Sequence, residues 1–485
     1  MNNAISAGHE ITLQVAKEIL LDGGNAFDAA VAAHFAMFIT EPCMASAGGN
    51  GFALTKAYGE KVVYYDFFSQ TPNSKKIEEP DFFPIVVDFG NETEEFHIGL
   101  GAAAVPGSIA GILEIHERYG RIPIRQLIQP ACDLANNGVI LNNFQAYDIF
   151  LLESIFKQDK RGKEIFFNDK GVKVEGDIIA MPQMADFLDF ISVEGRRGFY
   201  EGEIAQNIVK DSKERGGFLR MSDFENYRVN NNPPLNFTYQ DKKVFVPNGP
   251  NNGGLNLAIF LGLLEQGKSG IPASIKKTQR IVKEAITSMQ QMDELHPGHN
   301  YKAVSGPKAH HGTSHFNILD KHGNTISLTS SIGEGCGYFI PGTDMQLNNM
   351  LGELFLLPGG KHSWDPNVRM QSMMTPTIIT DRQGKVEFIA GSGGASRIPF
   401  AIGQVIDQLY NKSLSLKDAV EFPRYHYQND KFQVEKGADW KGSKEDAILW
   451  DNKSLYFGGV HAVFNANKSL EATGDKRRFG VSEIF

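Results

Sequence analysis

The sequence predicts an α+β protein whose helices and strands stack in layers. Two observations carry this. Helical and strand-like patterns arrive in blocks, with strand character dominating from Ser314 onward, rather than in the strict alternation of a doubly wound βαβ sheet. Glycine, 50 of 485 residues, exceeds the usual share of about 7% and gathers in short clusters without a repeat, as turns between elements do.

Taken in order, apolar residues recur at helical spacing from Thr12 to Leu21 (Leu13, Ala16, Ile19, Leu20), and Gly23-Gly24 supplies the stop. Asn25 is a fitting cap for an alanine-rich helix from Ala26 to Phe38. The cluster Ser46 to Phe52 reads as a flexible turn feeding a strand from Lys61 to Phe67. Helical spacing returns over Ile109 to Tyr119 and Ile124 to Asn136, so the first two hundred residues mix the two classes. A second glycine-rich turn, Asn248 to Gly254, opens an apolar helix from Leu255 to Leu264. The polar, lysine-containing stretch from Gly267 to His311 reads as a surface connection. Strands are expected over Phe316 to Leu319, Thr325 to Ser330, Met373 to Thr380 and Val386 to Ala390, and a helix from Phe400 to Leu409.

A formal net charge of −9 and the lack of any lysine or arginine block exclude a phosphate-tracking surface, so no nucleic acid partner is expected. The apolar run Ala29 to Ile39 contains His34 and is far too short to span a bilayer, which argues against a membrane partner. The start lacks the basic and apolar regions of a secretory signal. The expected location is therefore cytoplasmic, or periplasmic or secreted if the N-terminus is incomplete. Cys43, Cys132 and Cys336 are far apart without metal-ligand spacing and read as buried free thiols.

The chemistry gathers at a hairpin. Phe316 to Asp320 and Thr325 to Thr329 are β-prone runs, and Gly323 supplies the positive φ of a short loop. A turn centred on His322 puts Thr313 opposite Ser331; a one-residue slip would put the two hydroxyls on opposite faces. A hydroxyl needs an adjacent base, and an N-terminal α-amine with a pKa near 8 offers one within the same residue. Gly312 tolerates the backbone distortion that attack of the Thr313 hydroxyl on the preceding carbonyl requires. A second turn, Gly391 to Arg397, follows a strand and precedes a helix, and its small residues leave backbone N–H groups able to face an oxyanion.

Several motifs in order then resemble the γ-glutamyltranspeptidase family of N-terminal nucleophile hydrolases. They are Ala16 to Ala33, Glu41-Pro42, Gly48 to Phe52, Val105 to Gly107, Phe199 to Ala205, Asn252 to Gly254, Thr313 to Phe316, Gly323-Asn324, Leu347 to Asn349, Thr375 to Thr377 and Pro423 to His426. The resemblance covers nearly the whole chain. It implies a four-layer αββα sandwich, self-cleaved into a large part, residues 1–312, and a small part, residues 313–485, that stay together as a heterodimer open to higher homo-oligomers. It puts the nucleophile on Thr313, a supporting hydroxyl on Ser331 in place of a threonine, and the oxyanion-hole amides on Gly394 and Ala395. Alanine at 395 suits that role where its φ is not positive. Neither a metal nor an organic cofactor is called for.

The departures concern the substrate. Phe68 stands where the family carries an arginine for the glutamyl α-carboxylate, Met350 follows Asn349 so that only Glu353 remains to face an ammonium, Ser372-Met373 replaces a serine pair, and Gly333 replaces an asparagine. Phenylalanine cannot pair with a carboxylate. Arg369 and Arg397 are candidate replacement cations or loop braces; His315 is a candidate proton-transfer aid or a packed neighbour. The expected activity is that of a γ-glutamyltransferase-like amidohydrolase or acyltransferase on a small-molecule amide. Two alternatives stay open: an acylase on a non-glutamyl substrate, and a catalytically silent small-molecule-binding relative.

Overall fold

Two antiparallel six-stranded sheets lie face to face with helices on both outer surfaces. The computed structural model describes residues 2–88, 93–267, 269–295, 312–357, 359–466 and 469–485. One sheet runs in the order Val481–Ile484, Ala4–Ala7, Thr313–Leu319, Thr325–Ser331, Asn50–Lys56 and Val63–Phe67. The other runs Leu235–Tyr239, Lys242–Val246, Thr377–Thr380, Val386–Gly393, Gly459–Ala466 and Ser469–Thr473. Both sheets therefore draw strands from each side of Gly312, so neither half of the chain contains a complete sheet. The layering expected from the sequence is thus realised as α, β, β, α.

The outer helices on the first sheet include Glu10–Leu21 and Ala26–Thr40. Asn25 starts the latter as expected: its side-chain oxygen accepts from the N–H groups of Phe27 and Asp28 at 2.8 and 2.9 Å, and the Asp28 carboxylate accepts from the Asn25 N–H at 3.0 Å. Every residue of this helix is buried, which is why its sequence is apolar all round. On the second sheet lie Asn252–Glu265 and Ile398–Tyr410. No described helix is long and apolar enough to cross a membrane, and the three cysteines are buried free thiols.

Three elements differ from the sequence reading, the first being the strand expected over Met373 to Thr380, which begins only at Thr377, after Pro376, a residue that cannot donate to a ladder. Strand character begins at Asn50, inside the glycine cluster read as a flexible turn, because Asn50–Lys56 pairs on both sides. Within the stretch read as a surface connection, Ile271–Leu295 is a helix. Its buried face uses Ser274, Ile275, Thr278 and Val282, a stripe too polar to read as amphipathic. Lys268 and residues 296–311 of that stretch lie outside the described residues.

Candidate active site

Strand alternation decides what the hairpin Thr313–Leu319 and Thr325–Ser331 offers each layer. Phe316 and Ile318 enter the core beneath the helices. Thr313, His315 and Asn317 point the other way, into the space between the sheets, where Asn317 Nδ2 donates to the His461 carbonyl at 2.9 Å and Ser327 Oγ to that of Ala390 at 3.2 Å. Gly323 has φ of 90°, and the register is the expected one: Thr313 pairs with Ser331, His315 with Thr329 and Asn317 with Ser327. The inter-sheet layer beside Thr313 is therefore polar and internally hydrogen-bonded. His315 contacts Thr329 Oγ1 at 2.8 Å and Asn317 Oδ1 at 3.0 Å, and burial pulls its pKa down to about 3. It is a packed neighbour rather than a proton carrier.

Register brings three oxygens together. Ser331 Oγ donates to the Gly312 carbonyl oxygen at 2.7 Å and accepts from Thr313 Oγ1 at 3.2 Å. The Ile332 N–H donates to the same Gly312 oxygen at 3.2 Å. The carbonyl just before Thr313 is thus polarised by two donors, and the threonine hydroxyl is held against the shorter of them. Glycine at 312 is sterically required: a Cβ there would fall 1.3 Å from the Gly333 carbonyl oxygen and 3.1 Å from that of Cys43.

Around this cluster closes a small cavity lined by Phe68, Thr313, Ser331, Gly333, Met350, Glu353, Leu356, Ser372, Met373, Met374, Ala395 and Ile398. Nine of the sequence-selected residues thus meet at one place. Gly312 and Gly394 do not line it, although each directly precedes a residue that does. Its free volume of about 30 Å³ is that of a water or two. Gly333, with φ of 67°, brings its backbone so near Asn349 and Glu353 that a Cβ would lie 2.1 Å from Asn349 Oδ1 and 2.8 Å from Glu353 Oε1. One expectation needs correction. Ala395 has φ of 49°, following Gly394 at 120°, so the turn holds alanine in the left-handed region, where its Cβ crowds the carbonyl.

Neither suggested cation reaches the cavity. Arg369 lies behind Phe68: it pairs with buried Asp66 at 3.5 Å, donates to the Tyr227 hydroxyl at 2.7 Å, and donates to the Phe68 carbonyl. Phe68 itself stacks on Phe52 with centroids 5.2 Å apart. Arg397 lies over the Tyr456 ring at 4.4 Å.

Two contributors escaped the sequence reading. Arg478 Nη1 donates to the Thr313 carbonyl at 3.1 Å, and burial draws its pKa down to about 10. It is presented by a turn anchored at Asp475, which pairs with Arg424 at 2.6 Å and Arg477 at 3.2 Å. Burial alone would raise Asp475; those guanidiniums outweigh it and hold the carboxyl down to about 2. On the helix side of the hairpin, Ser314 Oγ donates to Glu41 Oε2, and Thr12 Oγ1 to Oε1 at 3.3 Å. Burial nonetheless pushes the Glu41 carboxyl up to about 7. Among the described residues no group of three or more histidine, cysteine or acidic side chains could hold a metal ion.

A threonine that opens an inner strand of a four-layer αββα sandwich, directly after a glycine, defines the N-terminal nucleophile hydrolase type of fold. The chain belongs to the gamma-glutamyltranspeptidase family, whose model matches residues 12–292 and 271–485. It is similar to the glutathione hydrolase proenzyme of Escherichia coli (strain K12), 26% identical over 87% of this chain and 81% of the relative. The glutathione hydrolase proenzyme of Pseudomonas aeruginosa is 27% identical over 99% of this chain and 94% of the relative. The Acylase ACY 1 proenzyme of Pseudomonas sp. (strain SE83) is 25% identical over 89% and 84%. Among solved structures, the cephalosporin acylase from Bacillus halodurans shares the fold, with a TM-score of 0.82, 20% identity, and coverage of 99% of this chain and 95% of that one.

Proposed function

We propose that this chain is a precursor that cleaves its own Gly312–Thr313 bond, and that Thr313 then acts as the N-terminal nucleophile of an amidohydrolase or acyltransferase. The observation that carries this reading is Ser331 Oγ, set between the Thr313 hydroxyl at 3.2 Å and the Gly312 carbonyl oxygen at 2.7 Å.

In the first step Thr313 Oγ attacks the Gly312 carbonyl carbon while Ser331 Oγ–H and the Ile332 N–H hold the developing oxyanion. The C–N bond breaks, the threonine nitrogen takes up the proton, and an ester joins Gly312 to Thr313 Oγ. Water cleaves the ester, leaving a carboxylate on residue 312 and a free amine on Thr313. That amine, with a pKa near 8, is the base the hydroxyl needs. It takes the Oγ proton as Oγ attacks a substrate amide, with the Gly394 and Ala395 N–H groups facing the oxyanion, and passes the proton to the departing amine. Water or an acceptor amine then releases the acyl group from Thr313.

Relatives named glutathione hydrolase proenzymes support a γ-glutamyl amide of the glutathione type as donor. A second reading, an acylase on a non-glutamyl amide, is favoured by Phe68 and by the methionines of the cavity. Intact-mass measurement with N-terminal sequencing tests the reading: a new chain beginning Thr-Ser-His-Phe is expected, and Thr313→Ala should remain a single chain. Purified protein that stays one full-length chain and hydrolyses neither γ-glutamyl nor simple acyl p-nitroanilides would overturn it.

A further inference from the structure

A buried guanidinium stands without a counter-charge at the start of the helix Ile398–Tyr410. Arg397 is 1% exposed, and none of its three side-chain nitrogens has a hydrogen-bond partner among the described residues. Only the flat face of the guanidinium is engaged, over the Tyr456 ring at 4.4 Å, which leaves the N–H edges in its plane unanswered. Two other buried guanidiniums of the small part are met by carboxylates, Arg424 by Asp475 and Arg477 by Glu435, each at 2.6 Å.

Three further features make the surroundings of Arg397 positive or rich in donors. His426 is 1% exposed with both ring nitrogens unpartnered among the described residues, and its ring lies against Phe400, in the first turn of the same helix, with centroids 5.8 Å apart. Burial, and then the Arg397 charge, hold the His426 imidazole well below its ordinary pKa, so the ring is neutral and has one N–H to give. Arg478 is lowered first by burial and then, against the pull of Asp148, by the same Arg397 charge. No side chain caps the helix, whose N-terminal end carries partial positive charge. Arg397 Nε lies 3.7 Å from where a Cβ on Gly394 would stand, and the Arg397 N–H donates to the Gly394 carbonyl at 3.0 Å, so this cluster sits directly behind the turn of Gly394 and Ala395.

An isolated buried cation is strongly unfavourable, and buried polar groups find their partners in protein, water or a bound ion. Water would answer the N–H groups and leave the charge; an anion answers both, in surroundings where the attraction is far stronger than in water. Burial to 1% exposure leaves no entrance for an organic acid and selects a monatomic anion. We propose that Arg397 and His426 bind a halide ion, chloride under ordinary conditions, as a structural anion behind the turn of Gly394 and Ala395. The site is independent of the chemistry assigned to Thr313.

Thermal melts of the purified protein test this, with sodium chloride or bromide replacing sodium gluconate at constant ionic strength. A ligand bound only by the folded chain stabilises it, so a rise in melting temperature of about 2 °C or more is expected between zero and roughly 100 mM of either halide. Arg397→Met removes the charge at similar length and should erase that rise. Should the variant fail to fold, crystals of the unaltered protein soaked in bromide decide: an anomalous peak within hydrogen-bonding reach of the Arg397 guanidinium is expected, and its absence overturns the proposal. Equal melting in halide and gluconate, or a halide effect that persists in folded Arg397→Met, would overturn it as well.

Discussion

Replacing Ser331 by alanine isolates the contact on which the proposed self-cleavage depends. The substitution removes one hydroxyl from a buried position and with it three interactions: the 2.7 Å donation to the Gly312 carbonyl and the acceptances from Thr313 Oγ1 and from the Gly333 N–H, both at 3.2 Å. The Ile332 N–H, at 3.2 Å from the same carbonyl, stays in place. Removing one of two preorganised oxyanion donors costs about 2.7–4 kcal/mol of the barrier, a factor of 10² to 10³ in rate. Loss of the partner that orients Thr313 Oγ1 adds to this, so cleavage that takes minutes should take days. The assay follows the full-length band and the Thr-Ser-His-Phe chain over time in freshly purified protein, with a thermal melt to show that the variant folds. Ser331→Thr keeps the hydroxyl and should cleave within about tenfold of the unaltered chain, since only a methyl is added. A folded Ser331→Ala protein that matures within threefold of the unaltered rate would refute the role assigned to this contact.

Gly312→Ala places a Cβ 1.3 Å from the Gly333 carbonyl oxygen, so the variant must displace that loop; an uncleaved or poorly recovered chain is expected on a denaturing gel, and normal maturation would count against the geometry. Ala395→Gly relieves a left-handed alanine, worth about 1–2 kcal/mol, against a glycine entropy cost of about 0.5–1 kcal/mol; the expected result is a gain of roughly 0.5–1 kcal/mol in urea unfolding of the precursor, and a loss would mean that the Ala395 methyl packs too well to spare. Glu41 gives a pH test. Its carboxyl is raised from 4.5 to about 7 in the fold, so between those values the folded chain binds more protons than the unfolded one and stability falls as pH rises. The shift amounts to roughly 3 kcal/mol. Glu41→Gln should flatten the urea midpoint between pH 4.5 and 7, only in part because Asp148, pushed up to about 8 chiefly by burial, drives the same trend; an unchanged slope would refute the assignment.

What could be read from the sequence was what local chemistry encodes. Asn25 with Asp28 marks a helix start in any protein, and Gly323 sets a hairpin whose register then fixes Thr313 opposite Ser331. The strand Asn50–Lys56 was hidden because central pairing with two neighbours, not propensity, makes a glycine cluster extended. Arg478 was hidden for a different reason. Lys476 to Arg478 looks like a solvated basic run, yet Asp475, Arg424 and Glu435 bury the turn and aim one of its guanidiniums at a carbonyl 165 residues away. Phe68 could be read as a loss of charge, but not where the remaining charge went: Arg369 packs behind that residue's own backbone. Nor could the sequence say that the alanine of the 394–395 turn adopts a positive φ, of 49°.

The same polar layer that makes the hairpin rigid also decides where proton transfer can occur. His315 lies two residues beyond Thr313 on the same strand, and it is a residue that composition alone would nominate as a base. Both of its ring nitrogens are already engaged, by Thr329 and Asn317, and burial brings its pKa to about 3. A base some four units below neutral pH offers little driving force for taking a hydroxyl proton. Glu41, pushed up to about 7, has a more suitable pKa but meets Ser314, whose side chain lies on the opposite face of the strand from Thr313. Neither of these two groups combines a suitable pKa with the correct face; under the proposed function the α-amine of Thr313, formed when the Gly312–Thr313 bond is cut, would do so. On the proposed function, self-cleavage would therefore supply the base as well as the nucleophile.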